Sequence, residues 1–214
     1  MIVEAVIDSS VRSLADEIPN GARVLDAGAG EAQYADHFSH CRYTGVDLAI
    51  GDHQWDYSGL DVIADLTSLP FRDNSFEAAI NIVVLEHIRE PARALREMAR
   101  VLQPGGQLLI VVPQQWEVHQ DPNDFYRYTR YGVEWLLEQA GFSKPNVQPI
   151  GGYFTLLARR LLNAMNFFQR GLCWLVFPFV AAISGFLALL LPGLDFLDRE
   201  KNFTLAYVCL AEKS

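Results

Sequence analysis

Basic charge is scarce in this chain: 17 Lys and Arg residues stand against 26 Asp and Glu, for a formal net charge of −9. A nucleic-acid backbone is therefore not expected as a partner, because phosphate binding is built from clustered cations. Cysteine is scarcer still. Cys41, Cys173 and Cys209 are odd in number and lack any C-x-x-C spacing, so neither a disulfide framework nor a metal site is expected, and the thiols read as free in a reducing compartment. The opening residues, MIVEAVIDSSVRSLADEIPNG, carry acids where a secretory signal has a basic region and an apolar core, so a cytoplasmic location is expected. No repeat or low-complexity segment interrupts the chain. One region lacks charge altogether. From Gly171 to Leu194 there is no Asp, Glu, Lys or Arg, and GLCWLVFPFVAAISGFLALLL within it is long enough to span a bilayer.

What is present reads as alternating strands and helices. Val3, Val6, Ile7, Val11 and Leu14 recur at helical spacing up to the Pro19-Asn20-Gly21 turn. Short β-rich runs follow at Arg23–Ala27, Tyr43–Asp47, Asp61–Asp65, Ala78–Val83 and Gln107–Val112, with helices expected at Pro91–Leu102 and Gly132–Ala140. Such alternation implies an α/β fold with a mostly parallel sheet covered on both faces. Val147–Ile150 reads as a short sixth strand broken by Pro149, and Thr204–Leu210 as the last.

Four ordered motifs carry the chemistry. VLDAGAGEAQYA, from Val24 to Ala35, puts an acid at a strand end, then glycines, then an expected helix whose N-terminus would face an anionic group. A dinucleotide fingerprint would have a third glycine where Gln33 stands, which disfavours a dehydrogenase. Asp47 ends the second run and suits a carboxylate accepting from ribose hydroxyls. ADLTSLPFRDNSFE and VLQPGG complete the set. With these motifs the chain resembles the class I S-adenosylmethionine-dependent methyltransferases, of the type-11 group similar to ubiquinone and menaquinone methyltransferases. The resemblance runs from about Val24 to Phe142 and returns at the last strand.

That resemblance implies a Rossmann-like fold whose seven-stranded, mostly parallel sheet has an antiparallel last strand. It implies S-adenosyl-L-methionine as cofactor, with Asp26, Gly28 and Gly30 around its methionine portion, Asp47 at the ribose, Asp65 and the Leu66 N–H at the adenine, and Asn81 near the methionine end. Methyl transfer from a sulfonium depends mainly on alignment and exclusion of water. A hydroxyl acceptor would be helped by a base, for which His119 and then His87 are the candidates. Trp116, Phe125, Tyr126, Arg127 and Tyr128 are candidate acceptor-pocket residues, Arg127 meeting an anionic group; equally, the tyrosines anchor their loop, with Thr129 capping the next helix.

Residues 151–202 then form an apolar helical insertion between strands six and seven, within a domain made of residues 1–150 and 203–214. Both ends of such an insertion leave from one sheet edge, which excludes a single membrane crossing and implies a hairpin. It carries Arg159, Arg160, Arg170, Arg199 and Lys201 against Asp195, Asp198 and Glu200, a slight basic excess that suits an anionic membrane surface. The reading is a methyltransferase, peripheral or monotopic on the cytoplasmic face of a membrane, acting on oxygen or carbon of an apolar or lipid-linked acceptor. The alternatives are a soluble small-molecule or sugar methyltransferase whose insertion is a lid or homodimer contact, and a non-catalytic cofactor-binding scaffold subunit.

Overall fold

The computed structural model describes residues 2–51 and 54–214. Seven strands form one sheet in the order β3-β2-β1-β4-β5-β7-β6: β1 (Arg23–Ala27), β2 (Arg42–Asp47), β3 (Val62–Ile63), β4 (Phe76–Ile82), β5 (Leu102–Pro113), β6 (Phe142–Ile150) and β7 (Ala206–Lys213). The first five pair in parallel, and β7 runs antiparallel between β5 and β6. This is the class I methyltransferase topology expected from the motifs.

Strand alternation explains why both faces are apolar. On one face Leu25, Ala27, Ala79, Leu108 and Ile110 pack against α2 (Pro91–Val101) and α3 (Arg130–Gln139) through Leu95, Met98, Val133 and Leu137. On the other, Val24, Ala78, Ile80, Leu109 and Val111 meet α1 (Ile2–Glu17) through Val3, Ile7, Val11 and Leu14. Side chains one residue apart point to opposite faces, so near-continuous apolar strands are what a sheet covered on both sides requires.

Three local expectations change. The helix expected after the glycine loop is a run of turns followed by a short 3-10 segment, Ala35–Phe38, so no α-helix dipole faces the loop. The sixth strand is longer than expected: it occupies the sheet edge, where Pro145 and Pro149 are tolerated because an edge strand leaves one row of N–H groups without a ladder partner. The third is shorter, two residues instead of five.

Between β6 and β7 the chain forms α4 (Tyr153–Ala164) and α5 (Phe177–Leu190), joined and followed by 3-10 turns. Pro178 stands in the first turn of α5, where its missing N–H costs nothing. Leu156 of α4 packs on the same sheet face as α1. The two ends are tied together. Asp195 accepts from the N–H groups of Gly152, Phe154 and Thr155 at 2.7, 2.9 and 3.0 Å and from the Thr155 hydroxyl at 2.6 Å. Asp198 accepts from Tyr153 N–H at 2.8 Å. These acids satisfy first-turn amides of α4 that have no partner within the helix, so the insertion is a closed hairpin. Ile150 pairs with Ala206, which also pairs with Pro113, and this places its neck at the carboxyl end of β5.

Candidate functional site

A cleft of about 560 Å³ opens at the carboxyl ends of the parallel strands. It lies where the chain reverses direction across the sheet, between β1 and β4, the usual ligand crevice of an open α/β sheet. Gly28, Gly30, Asp47, Asp65, Leu66, His87 and Phe125 line it, together with Trp55, which the sequence motifs do not single out.

The glycine loop is shaped for close approach. Gly28 has φ +99°, and a Cβ there would stand 2.5 Å from the Val84 methyls, so only glycine fits. The Gly28 and Ala29 N–H groups both donate to Val46 O, at 2.7 and 3.0 Å, fastening the loop to β2. Asp47 is fixed from both sides: Oδ2 accepts from Gly30 N–H at 3.1 Å and Oδ1 from Ala49 N–H at 2.8 Å. Asp65 Oδ1 accepts from both the N–H and the hydroxyl of Thr67, each at 2.8 Å.

Asp26 and Asn81 stand behind this wall instead of lining it. Asp26 is 1% exposed and accepts the Tyr43 hydroxyl at 2.6 Å; burial pushes its carboxyl up to about 7 against that hydrogen bond. Asn81 donates to Ala27 O at 2.6 Å, bracing β4 against the start of the glycine loop, while its Oδ1 is buried with no partner among the described residues.

The two histidines come together, although 32 positions separate them. His87, in the turn after β4, and His119, in the loop after β5, face each other with 3.1 Å between their Nε2 atoms. Beside them lies Glu86, fully buried, its nearer oxygen 3.3 Å from His119 Nε2 and 3.7 Å from His87 Nε2. That carboxylate raises the His119 pKa above the ordinary imidazole value, with burial opposing. Only His87 of the pair reaches the cleft wall. Glu86 was not legible as a site residue; its one signal is an acid set in the apolar run VVLEHI after β4.

Of the candidate acceptor-pocket residues Phe125 lines the cleft, whereas Trp116, Tyr126, Arg127 and Tyr128 lie outside its lining. Arg127 is fully engaged within its own loop. It donates to Asp124, which it holds down to a pKa of about 2, and to the carbonyls of Trp116 and Glu117. Its guanidinium is not free for an anion, contrary to the expectation. Tyr128 is buried and donates to Leu85 O at 3.0 Å, and Tyr126 donates to Arg89 O at 2.8 Å. Thr129 caps α3 by accepting from Gly132 N–H at 3.1 Å, as expected. Trp116 lies under Arg159 of the insertion, 4.4 Å from guanidinium carbon to ring centre, and Arg159 also pairs with Glu117. The insertion is thus fastened to the loop that carries His119.

Comparison with known proteins bears on the domain that carries this site. The family model described as a methyltransferase domain matches residues 25–110. A tRNA (carboxymethyluridine(34)-5-O)-methyltransferase of Arabidopsis thaliana is 30% identical over 148 residues, 65% of this chain and 35% of that protein. A demethylmenaquinone methyltransferase of Paenarthrobacter aurescens is 36% identical over 103 residues, 44% of this chain and 40% of the relative. The chain therefore spans well under half the length of either relative. Among solved structures, phosphoethanolamine N-methyltransferase 2 of Haemonchus contortus, in complex with S-adenosyl-L-methionine, superposes with a TM-score of 0.61 at 16% identity, covering 96% of this chain and 52% of that one.

Proposed function

We propose that this chain, whose residues 25–110 belong to the methyltransferase-domain family and whose sheet is that of the class I S-adenosylmethionine-dependent enzymes, methylates an apolar or lipid-linked acceptor at the cytoplasmic face of a membrane. The observation that carries the reading is the pairing of a cleft at the carboxyl ends of the parallel strands with an exposed apolar hairpin attached at the same end of the sheet.

The cleft residues fit S-adenosylmethionine. Its volume lies in the range of ligand pockets, the Gly28 site excludes a side chain, and Asp47 and Asp65 present carboxylates already fixed by local donors. Asp47 would hold the ribose hydroxyls, Asp65 and the Leu66 N–H the adenine, and the Gly28–Gly30 backbone the methionine portion. Asp26 and Asn81 would act by bracing that backbone. When bound, the cofactor supplies a methyl group on a positively charged sulfur. What the chain's residues contribute is alignment and a dry wall, through Ile82, Val83, Val84, Ile88 and Phe125. The polar group beside this wall is the Glu86–His87–His119 cluster, not either histidine alone.

The membrane assignment rests on the insertion. Phe179, Ile183, Phe186 and Leu190 recur at three- and four-residue spacing along α5 and all face outward, flanked by exposed Leu172, Trp174, Leu175, Phe196 and Leu197. A contiguous exposed apolar surface of this kind marks an interaction site, and one rich in Phe and Trp suits a bilayer boundary. Phe177–Leu197 is long and apolar enough to cross a membrane by length and composition, but the neck bonds return the chain to the sheet, which favours a hairpin lying in one leaflet. An RNA acceptor is disfavoured by the net charge of −9.

Incubation of the protein with methyl-labelled S-adenosylmethionine and a whole-cell extract, followed by organic extraction, tests the reading. Label in the organic phase is expected. Label confined to the RNA or to the aqueous small-molecule fraction would overturn it.

A further inference from the structure

We propose that Glu86, His87 and His119 form a binding site for one divalent transition-metal ion of the zinc type, with its open coordination position facing the cleft.

The hydrogen-bond count leads there. His87 Nδ1 lies 2.7 Å from Asn123 O, and His119 Nδ1 lies 3.1 Å from Glu117 O. A carbonyl can only accept, so both rings carry their proton on Nδ1, and in the neutral rings both Nε2 atoms are bare lone pairs. Those lone pairs face each other at 3.1 Å. The third group is a carboxylate with no exposed surface, and neither of its oxygens receives a hydrogen bond of proper geometry among the described residues. Three electron-pair donors thus converge with no donor between them. Burying a charge in this way is costly unless a cation completes the set.

One proton does not resolve it. Placed on His119 Nε2, it satisfies His87 or Glu86 and leaves the other donor unanswered. Protonation of both rings would set two N–H groups against each other at the same short distance. A metal ion meets all three at once. Ligand atoms about 2.0–2.1 Å from a tetrahedral zinc ion stand about 3.3 Å apart, and the observed edges of the triangle are 3.1, 3.3 and 3.7 Å. Two imidazoles and one carboxylate form the donor set of zinc and its first-row neighbours rather than of magnesium or calcium. The surroundings match too, since metal-bound histidines hold their other nitrogen on a carbonyl or carboxylate. Here His119 Nδ1 has Asp124 Oδ2 at 3.5 Å in addition to its carbonyl, and Arg127 fixes that aspartate. His87 lines the cleft, so the fourth position opens toward it and would take an oxygen, from water or from a hydroxyl-bearing ligand.

The inference stands apart from the methyltransferase reading, because metal affinity is measured with neither cofactor nor acceptor present. Protein stripped with a chelator is titrated with zinc chloride by calorimetry, and histidine nitrogen resonances are followed by NMR. One equivalent should bind, moving the Nε2 signals of His87 and His119 and leaving those of His37 and His40 in place. His119→Ala and Glu86→Gln should each weaken binding at least tenfold. Should a variant fail to fold, the NMR measurement on the unaltered protein decides alone. Absence of saturable binding, unmoved His87 and His119 signals, or full affinity in both folded variants would overturn the site.

Discussion

The sheet body and the insertion are both rich in apolar residues, the insertion the more so, and dispose of them in opposite ways. In the body, Leu25, Ile80, Leu95, Ile110 and Leu137 have no exposed surface. In the insertion, Leu172, Phe179, Leu189 and Phe196 are 87, 72, 83 and 72% exposed. Composition is therefore silent on where an apolar residue goes. What decides is whether the topology offers a second layer, and beyond α4 it offers none among the described residues. The body is held by its own core, and the insertion by its polar neck, by Leu156 on the sheet and by Arg159 on Trp116 and Glu117.

The largest expected effect separates the two regions by stability. Leu95→Ala should cost about 2–5 kcal/mol in a urea titration, whereas Phe179→Ser should change the same midpoint by less than about 0.5 kcal/mol. Comparable losses would mean that the insertion is part of one cooperative core, and the contrast would be broken. Function should divide along the same line. Asp47→Ala removes a charged acceptor worth about 1.5–3 kcal/mol, so affinity for S-adenosylhomocysteine should fall by about one to two orders of magnitude while liposome binding is unchanged.

Smaller effects sharpen the boundary. Asp195→Ala removes the cap of α4 and should cost about 1–2 kcal/mol. Hydrogen exchange should show the loss in residues 152–197 and not in β1 or β4. Asp26 gives a pH signature confined to the body. Its folded-state value of about 7 lies above the unfolded value of about 4, so the stability it contributes is full only below about pH 4, falls as pH rises from there and is wholly lost once pH has passed about 7. Between pH 6 and pH 8 the protein should lose about 1 kcal/mol through this group, and Asp26→Asn should abolish that part of the slope in equilibrium unfolding.

Much of this was legible in the sequence, for physical reasons that differ by region. Arg23–Ala27 is a strand in both readings because an apolar run bounded by a Pro-Asn-Gly turn and a glycine loop has few other choices. The glycine loop and Asp47 were found because close backbone approach and a strand-end carboxylate leave local signatures. What followed the loop was not found: Ala32 adopts a positive φ of 55° and breaks the expected helix, a conformation that alanine does not advertise. Arg127 read as a free cation because its partner, Asp124, looked like another loop acid. Glu86 and His119 belong to different loops, and only the pairing of β4 with β5 brings them together. The neck was hidden for the same reason, since Asp195 lies 43 positions from the Gly152 amide it accepts.

Liposome flotation of the whole protein tests the central contrast most directly. The account predicts that the unaltered protein floats with anionic vesicles, that Trp174→Ser combined with Phe179→Ser leaves it at the bottom of the gradient, and that S-adenosylhomocysteine binding is the same in both. A protein that stays at the bottom without those changes, or floats equally well with them, would contradict it.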